Sequence, residues 1–505
     1  MSPTASAAAS RPPRGLWAST SLAGCLSCLI LLAGCGARGP GAGGDRPLTG
    51  ASLSPVRYEL SIDPGLERLT ETVCSEGPWT DRLVSIHAEA RARLLSANLV
   101  HEDGTSAPLE VGGSGPLAIA TRALAPSDCV RLVFDVATAG GGMNGCLRTS
   151  ELVACATSAF LVAAEPWRTS ARHRVVLSLP DGMGASPIFG EDDAGLYVDE
   201  RAYRYVGYAA FGALETRSVE VPGGCARVVV PRHAELAASP HLEPWVQRAS
   251  LASAMITGTA TGRDVAIAAI PTPGGDAMPV RFGMAGRGTR PSVLALVDMS
   301  PTAALETDWT LVHELAHLAV PYVSSEDAWL SEGLATYQQE VLRARAGLQS
   351  AEDAWRAIDD GLTRGAQDGT GVSLREESRA MRTSHAYTRV YWGGAALALL
   401  VDVALRTRAD SSLDARLSRL ADRRDTTMSA DALIDAIDDE RGIVRATLAR
   451  WLESERFPDT TEAYGALGLS RDAAGTLRFA PSALRDAIMN PAPALASNGP
   501  CPRGD

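Results

Sequence analysis

Residues 310–320 read TLVHELAHLAV. Three ionisable side chains, His313, Glu314 and His317, interrupt an apolar run with helical spacing. Burying such groups is costly unless each finds a partner. His313 and His317 stand four residues apart, so a helix places both imidazoles on one face, one turn apart. Two nitrogens so placed can grip one Zn2+ at about 2.0–2.1 Å each. Glu314 lies beside that face, where its carboxylate can take a proton from a zinc-activated water. A catalytic zinc needs a third protein ligand and one open position. The candidate is Glu332, early in the helical stretch DAWLSEGLATY (327–337), with Glu326 and Asp327 as alternatives. The competing reading is a buried helix whose histidines bond carbonyls. The apolar strand before the motif and the acid-bearing helix after it favour the metal.

HELAH followed by WLSEGLATY resembles the gluzincin metallopeptidases, in particular the aminopeptidase N-like and glycyl aminopeptidase-like families. The resemblance covers about residues 225–465. It implies a thermolysin-like catalytic domain, one zinc ion, hydrolysis of peptide bonds and Glu332 as third ligand. It also implies a tyrosine that stabilises the tetrahedral intermediate. VYWGGAALALL (390–400) matches the stretch that carries this residue, so the role falls to Tyr391, with Tyr387 one turn earlier as fallback. A phenol aimed at a developing oxyanion is what such chemistry wants.

Two departures from those families stand out. The spacer between His317 and Glu332 holds 14 residues, 318–331, and is shorter than theirs. Their upstream G-x-M-E-N-like strand uses its Glu to hold a free substrate amine. Here FGMAGRGTRPSV (282–293) offers no acid, and carries Arg287 and Arg290 instead. Arginine repels an ammonium and pairs with a carboxylate, so both are candidate substrate-binding residues. Exopeptidase and endopeptidase action both stay open, as does an inactive peptidase-fold lipoprotein acting as a binding or scaffold module.

The N-terminus reads as a targeting segment. Arg11 and Arg14 precede an uncharged run, GLWASTSLAGCLSCLILLAGC, that ends at Cys35. Leu32-Ala33-Gly34-Cys35 resembles a bacterial lipobox, in which the cysteine becomes the lipidated first residue. Residues 1–35 are therefore assigned to signal peptide and lipobox, and the Gly- and Pro-rich 36–54 to a linker. This predicts a lipid anchor on Cys35 at the periplasmic or outer-membrane face of a bacterial envelope. No later apolar stretch of about 20 residues is expected to span a membrane.

The chain has 505 residues and a formal charge of −12, and all 47 basic residues are arginine. An acidic chain without a basic, aromatic-interleaved cluster excludes nucleic acid as a partner. Six cysteines follow the lipobox, Cys74, Cys129, Cys146, Cys155, Cys225 and Cys501. An even number in an exported chain predicts disulfides, and Cys146 with Cys155 is the most local of the 15 possible pairings.

The expected fold class is α+β. Residues 55–222 carry short alternating runs such as VRYELSI (56–62), CVRLVFDV (129–136), HRVVLSLP (173–180) and 201–211, and read as an antiparallel β sandwich. Segment 82–100 is ambiguous between helix and strand. Residues 223–465 give strands at 227–231, 264–272 and 292–300, a helix in 239–258, the motif helix, and a helical C-terminal lobe. The run DARLSRLADRRD (414–425) reads as a solvated helical face, and 466–505 as a weakly specified tail.

Overall fold

The computed structural model describes residues 55–501 apart from 139, 141, 167–170, 262–263, 274–277, 300–303, 370 and 491–493. Cys35, the signal segment and the linker lie outside the described residues. Alternation drives the first unit. In Val56–Ile62, Val56, Tyr58, Leu60 and Ile62 point inward while Arg57, Glu59 and Ser61 face outward. This strand lies within an eight-stranded sheet. One core joins that sheet to the three-stranded sheet carrying Leu83, Ile119 and Val162. The sheet is not purely antiparallel, because Val56–Ile62 runs parallel to His173–Ser178. Two disulfides staple directly paired residues, Cys74–Cys129 and Cys146–Cys155.

Two ambiguous stretches divide between helix and strand. Segment 82–100 becomes strand Arg82–Ser85, a short helix Ala88–Arg93 and strand Leu94–Val100. In 201–211, which was expected to be β throughout, Arg201–Arg204 forms a helical turn and only Tyr208–Gly212 a strand.

The second unit is built on a five-stranded sheet in the order Leu214–Val221, Gly224–Pro231, Ala266–Thr272, Ser292–Asp298, Val280–Gly286. The three central strands are parallel and both flanking strands antiparallel. The sheet thus begins at Leu214, ahead of the expected boundary at 222/223. Val280–Gly286 forms one edge, and the motif helix Thr310–His317 lies against it. That helix starts where the buried Asp308 carboxylate accepts the amide hydrogens of Thr310 and Leu311, at 2.8 and 3.0 Å. The same carboxylate accepts from Trp245 Nε1 in the helix Leu242–Ala254.

Helices Ala328–Arg345 and Tyr387–Arg408 form the centre of the C-terminal lobe. They cross at two glycines. A Cβ on Gly394 would lie 1.9 Å from the Trp329 carbonyl oxygen, and one on Gly333 would lie 2.4 Å from Gly394 backbone. Only paired glycines permit this approach. Tyr387–Arg408 also meets the length and hydropathy of a membrane span, contrary to the expectation that no such stretch follows the leader. With 78% of that apolar stretch buried, it is the core helix of the lobe.

The charged run and the tail are more ordered than expected. Asp414 is buried and paired with Arg345 at 2.7 Å, and Arg345 also donates to the Ile488 carbonyl. Ile488 lies in a helix, Ala483–Met489, that closes the same core. Cys225–Cys501 then ties the end of the described chain to strand Gly224–Pro231.

Gly394→Ala separates packing from propensity. Helix propensity alone favours alanine by about 1 kcal/mol, whereas overpacking costs about 3 kcal/mol. Denaturant unfolding is expected to show the loss. A stabilised variant would contradict the crossing.

Candidate active site

The motif helix and the helix Ala328–Arg345 bring three side chains to one point. His317 Nε2 lies 3.1 Å from His313 Nε2, and Glu332 Oε2 lies 3.3 Å from each. A tetrahedral ion with bonds of about 2.0–2.1 Å separates its ligands by about 3.3–3.4 Å, so these spacings fit a metal. Among the described residues this is the one His/Cys/Asp/Glu group with metal-ligand spacing. His313 is buried, while His317 and Glu332 are partly exposed, which leaves a side open.

The electrostatics couple the same three groups. Two imidazole nitrogens and a carboxylate oxygen face one another at contact distance. Burial alone would lower the His313 pKa, but its hydrogen bond to Glu332 and the nearby carboxylate charges raise it instead. Burial alone would raise Glu332, yet the charge on His317 and the hydrogen bonds from both imidazoles hold it well below the ordinary range. Both directions are those of imidazoles and a carboxylate paired with one another.

The short spacer does not prevent the meeting. After His317 the chain turns, pairs Tyr322–Val323 with Thr427–Met428, and enters the next helix through the turn Ser325–Asp327. Glu332 then falls in the second turn of that helix and faces back. The alternatives stand elsewhere. Asp327 accepts from Trp329 Nε1, and Glu326 carries the carbonyl that Ser378 binds.

Glu314 is buried beside the trio, and its Oε2 accepts the Ala285 amide hydrogen at 2.7 Å. Burial raises its pKa, partly offset by the charges of His313 and His317. The contact requires Gly283, because a Cβ there would lie 2.7 Å from Glu314 Cγ. Gly283 and Ala285 thus let the edge strand press against the carboxylate.

Tyr391 lies parallel to His313, with ring centroids 6.3 Å apart and an 11° tilt, while Trp309 meets the same imidazole edge-on at 6.1 Å. Burial pushes the Tyr391 phenol well above its ordinary pKa, reinforced by the negative charges of Glu332 and Glu314. The hydroxyl therefore stays protonated. Tyr387 stacks loosely with His385, which ends the helix Leu374–Ser384 in a left-handed conformation.

The two candidate substrate-binding arginines both have structural partners. Arg287 is committed to structure, donating to the carbonyls of His317, Val320 and Arg424, with 2.8 and 2.6 Å to the last two. It satisfies carbonyls at the C-terminal end of the motif helix, where a cation is favoured. Burial lowers its pKa to about 10, so it is charged at neutral pH. Arg290 reaches the other way, to the Pro187 carbonyl at 2.9 Å in the first unit. Arg287 is thus held by three carbonyls and Arg290 by one.

Sequence reading missed Gln339 and Glu340. Gln339 Oε1 lies 2.8 Å from His313 Nδ1. Its position seven residues after Glu332, on the same helix face, was the available signal.

Arg287→Met is expected to lower stability by about 2–3 kcal/mol, since it leaves inward-facing carbonyls without a donor. Urea unfolding measures this. Unchanged stability would free Arg287 for another role.

No family model and no curated relative matches the sequence. Among solved structures, the chain is similar to an aminopeptidase N family protein from Idiomarina loihiensis, with a TM-score of 0.64 and 14% identity. The match covers 82% of this chain and 78% of that one. The chain has a peptidase-like fold resembling that of an aminopeptidase N family protein.

Proposed function

We propose that the chain is a zinc-dependent metallopeptidase that hydrolyses peptide bonds in peptides or proteins, tethered to the bacterial envelope through a lipid on Cys35. The carrying observation is the convergence of His313 Nε2, His317 Nε2 and Glu332 Oε2 at metal-ligand spacing inside a peptidase-like fold. Two imidazoles and one carboxylate, with a side left open, are the donor set of a catalytic zinc site. The tether rests on the lipobox sequence alone.

His313, His317 and Glu332 would hold the ion. Bound zinc supplies Lewis acidity toward a carbonyl oxygen and lowers the pKa of water toward about 7. Glu314 removes the proton of the attacking water and passes it to the leaving amine. Its raised pKa suits both halves of that transfer, and the Ala285 amide keeps the carboxylate in place. Tyr391 keeps its proton and donates a hydrogen bond to the developing oxyanion.

The edge strand VRFGMAG contains no acid, so it offers a free substrate amine no carboxylate partner. This favours cleavage inside chains over removal of N-terminal residues. The alternative is an inactive scaffold with a peptidase fold. Retention of Glu314 in contact with the edge strand, alongside all three ligand candidates, argues against it.

Purified protein is expected to contain one zinc per chain. His317→Ala should lose it, while Glu314→Gln should keep it and lose about 10²–10⁴-fold in hydrolysis of a mixed peptide library. Unchanged zinc in His317→Ala sinks the ligand assignment. Bound zinc without cleavage across the library would establish the scaffold reading.

A further inference from the structure

Resting on the zinc reading, we propose that Gln339 and Glu340 form a relay that fixes the tautomer of His313 and thereby sets the affinity of the site for zinc. Both residues are buried on the helix that carries Glu332.

Hydrogen-bond direction is forced at each link. Gln339 Nε2 lies 2.9 Å from Glu340 Oε1. An ionised carboxylate only accepts, so the amide NH2 must face Glu340. The carbonyl end of Gln339 then faces His313 Nδ1, at 2.8 Å. A carbonyl also only accepts, so Nδ1 carries the hydrogen. In the neutral imidazole that a metal requires there is one N–H, so with Nδ1 protonated the Nε2 lone pair is directed toward Glu332 and His317.

Glu340 is itself pinned. Its Oε2 accepts from Arg343 Nη1 at 3.0 Å and from Gln349 Nε2 at 2.8 Å, and its backbone carbonyl accepts from Gln349 at 3.0 Å. Arg343 pairs with the carboxylate. The relay therefore runs from Arg343 and Gln349 through Glu340 and Gln339 to the metal-facing nitrogen of His313.

The last acceptor is a neutral carbonyl rather than a carboxylate. Groups in this position orient a ligating histidine and set its basicity. Loss of the acceptor frees the ring to take the other tautomer, in which Nε2 carries hydrogen and cannot bind a metal.

Chelator competition on the full chain reads the effect as a zinc dissociation constant, with the Co2+ visible spectrum reporting coordination. Gln339→Met keeps the volume and removes the acceptor, and is expected to weaken zinc binding about 10–100-fold. Gln339→Glu keeps an acceptor and is expected to hold zinc at least as tightly as the parent. Glu340→Gln, which no longer forces the amide orientation, should weaken binding and serves if the position-339 variants fail to fold. A Met variant within about threefold of the parent would overturn the relay, as would equal losses in the Met and Glu variants. If the parent binds zinc no better than His317→Ala, the zinc reading itself has failed. If the parent binds and Gln339→Met binds equally, only the relay has.

Discussion

The backbone contact between Gly333 and Gly394 is the constraint on which the site depends. Glu332 precedes Gly333 by one residue, and Tyr391 precedes Gly394 by three. At a crossing this close, two helices carry a carboxylate and a phenol toward the same imidazole. A side chain at either glycine would push the helices apart and open the site. The glycines in WLSEG and YWGG are therefore as much part of the arrangement as the polar residues beside them. Gly283 serves similarly where the edge strand meets Glu314.

Charged groups placed in an apolar core need individual explanations. Asp308 receives two helix amides and an indole N–H. Arg287 donates to the carbonyls at the far end of the same helix. Glu314 has the Ala285 amide, and His313 has Gln339. The motif helix is thus held at both termini and on both flanks by directional bonds. The arrangement left facing the open side is two imidazole nitrogens and one carboxylate oxygen. Their mutual spacing is that of ligands around a small cation, and this is the observation on which the proposed metal rests.

Much of this was legible in the sequence where the signal is local and periodic. His313, Glu314 and His317 declare themselves by helical spacing in an apolar run. VRYELSI declares its strand by strict alternation. Glu332 was reachable across a shortened spacer because the WLSEG around it resembles the ligand-bearing stretch of the gluzincins. Other features depend on contacts distant in the chain. Gln339 and Glu340 read as ordinary polar positions until His313, 26 residues away, is placed against them. Arg287 sits in a Gly-rich loop and reads as solvent-facing or as a substrate clamp, because nothing local reveals the carbonyls it meets. Asp414 lies in a run of mixed charge whose surface appearance conceals a buried pair with Arg345. The Cys225–Cys501 bond spans 276 residues, and pairing at that range is a property of the folded chain.

The central claim is that His313, His317 and Glu332 share one zinc ion. Diffraction from crystals of the full catalytic unit, recorded on both sides of the zinc absorption edge, tests it directly. The account predicts a single anomalous peak between the three side chains, within about 2.0–2.2 Å of His313 Nε2, His317 Nε2 and a Glu332 carboxylate oxygen. A peak at other residues, or zinc-loaded crystals with no peak at this point, would contradict it.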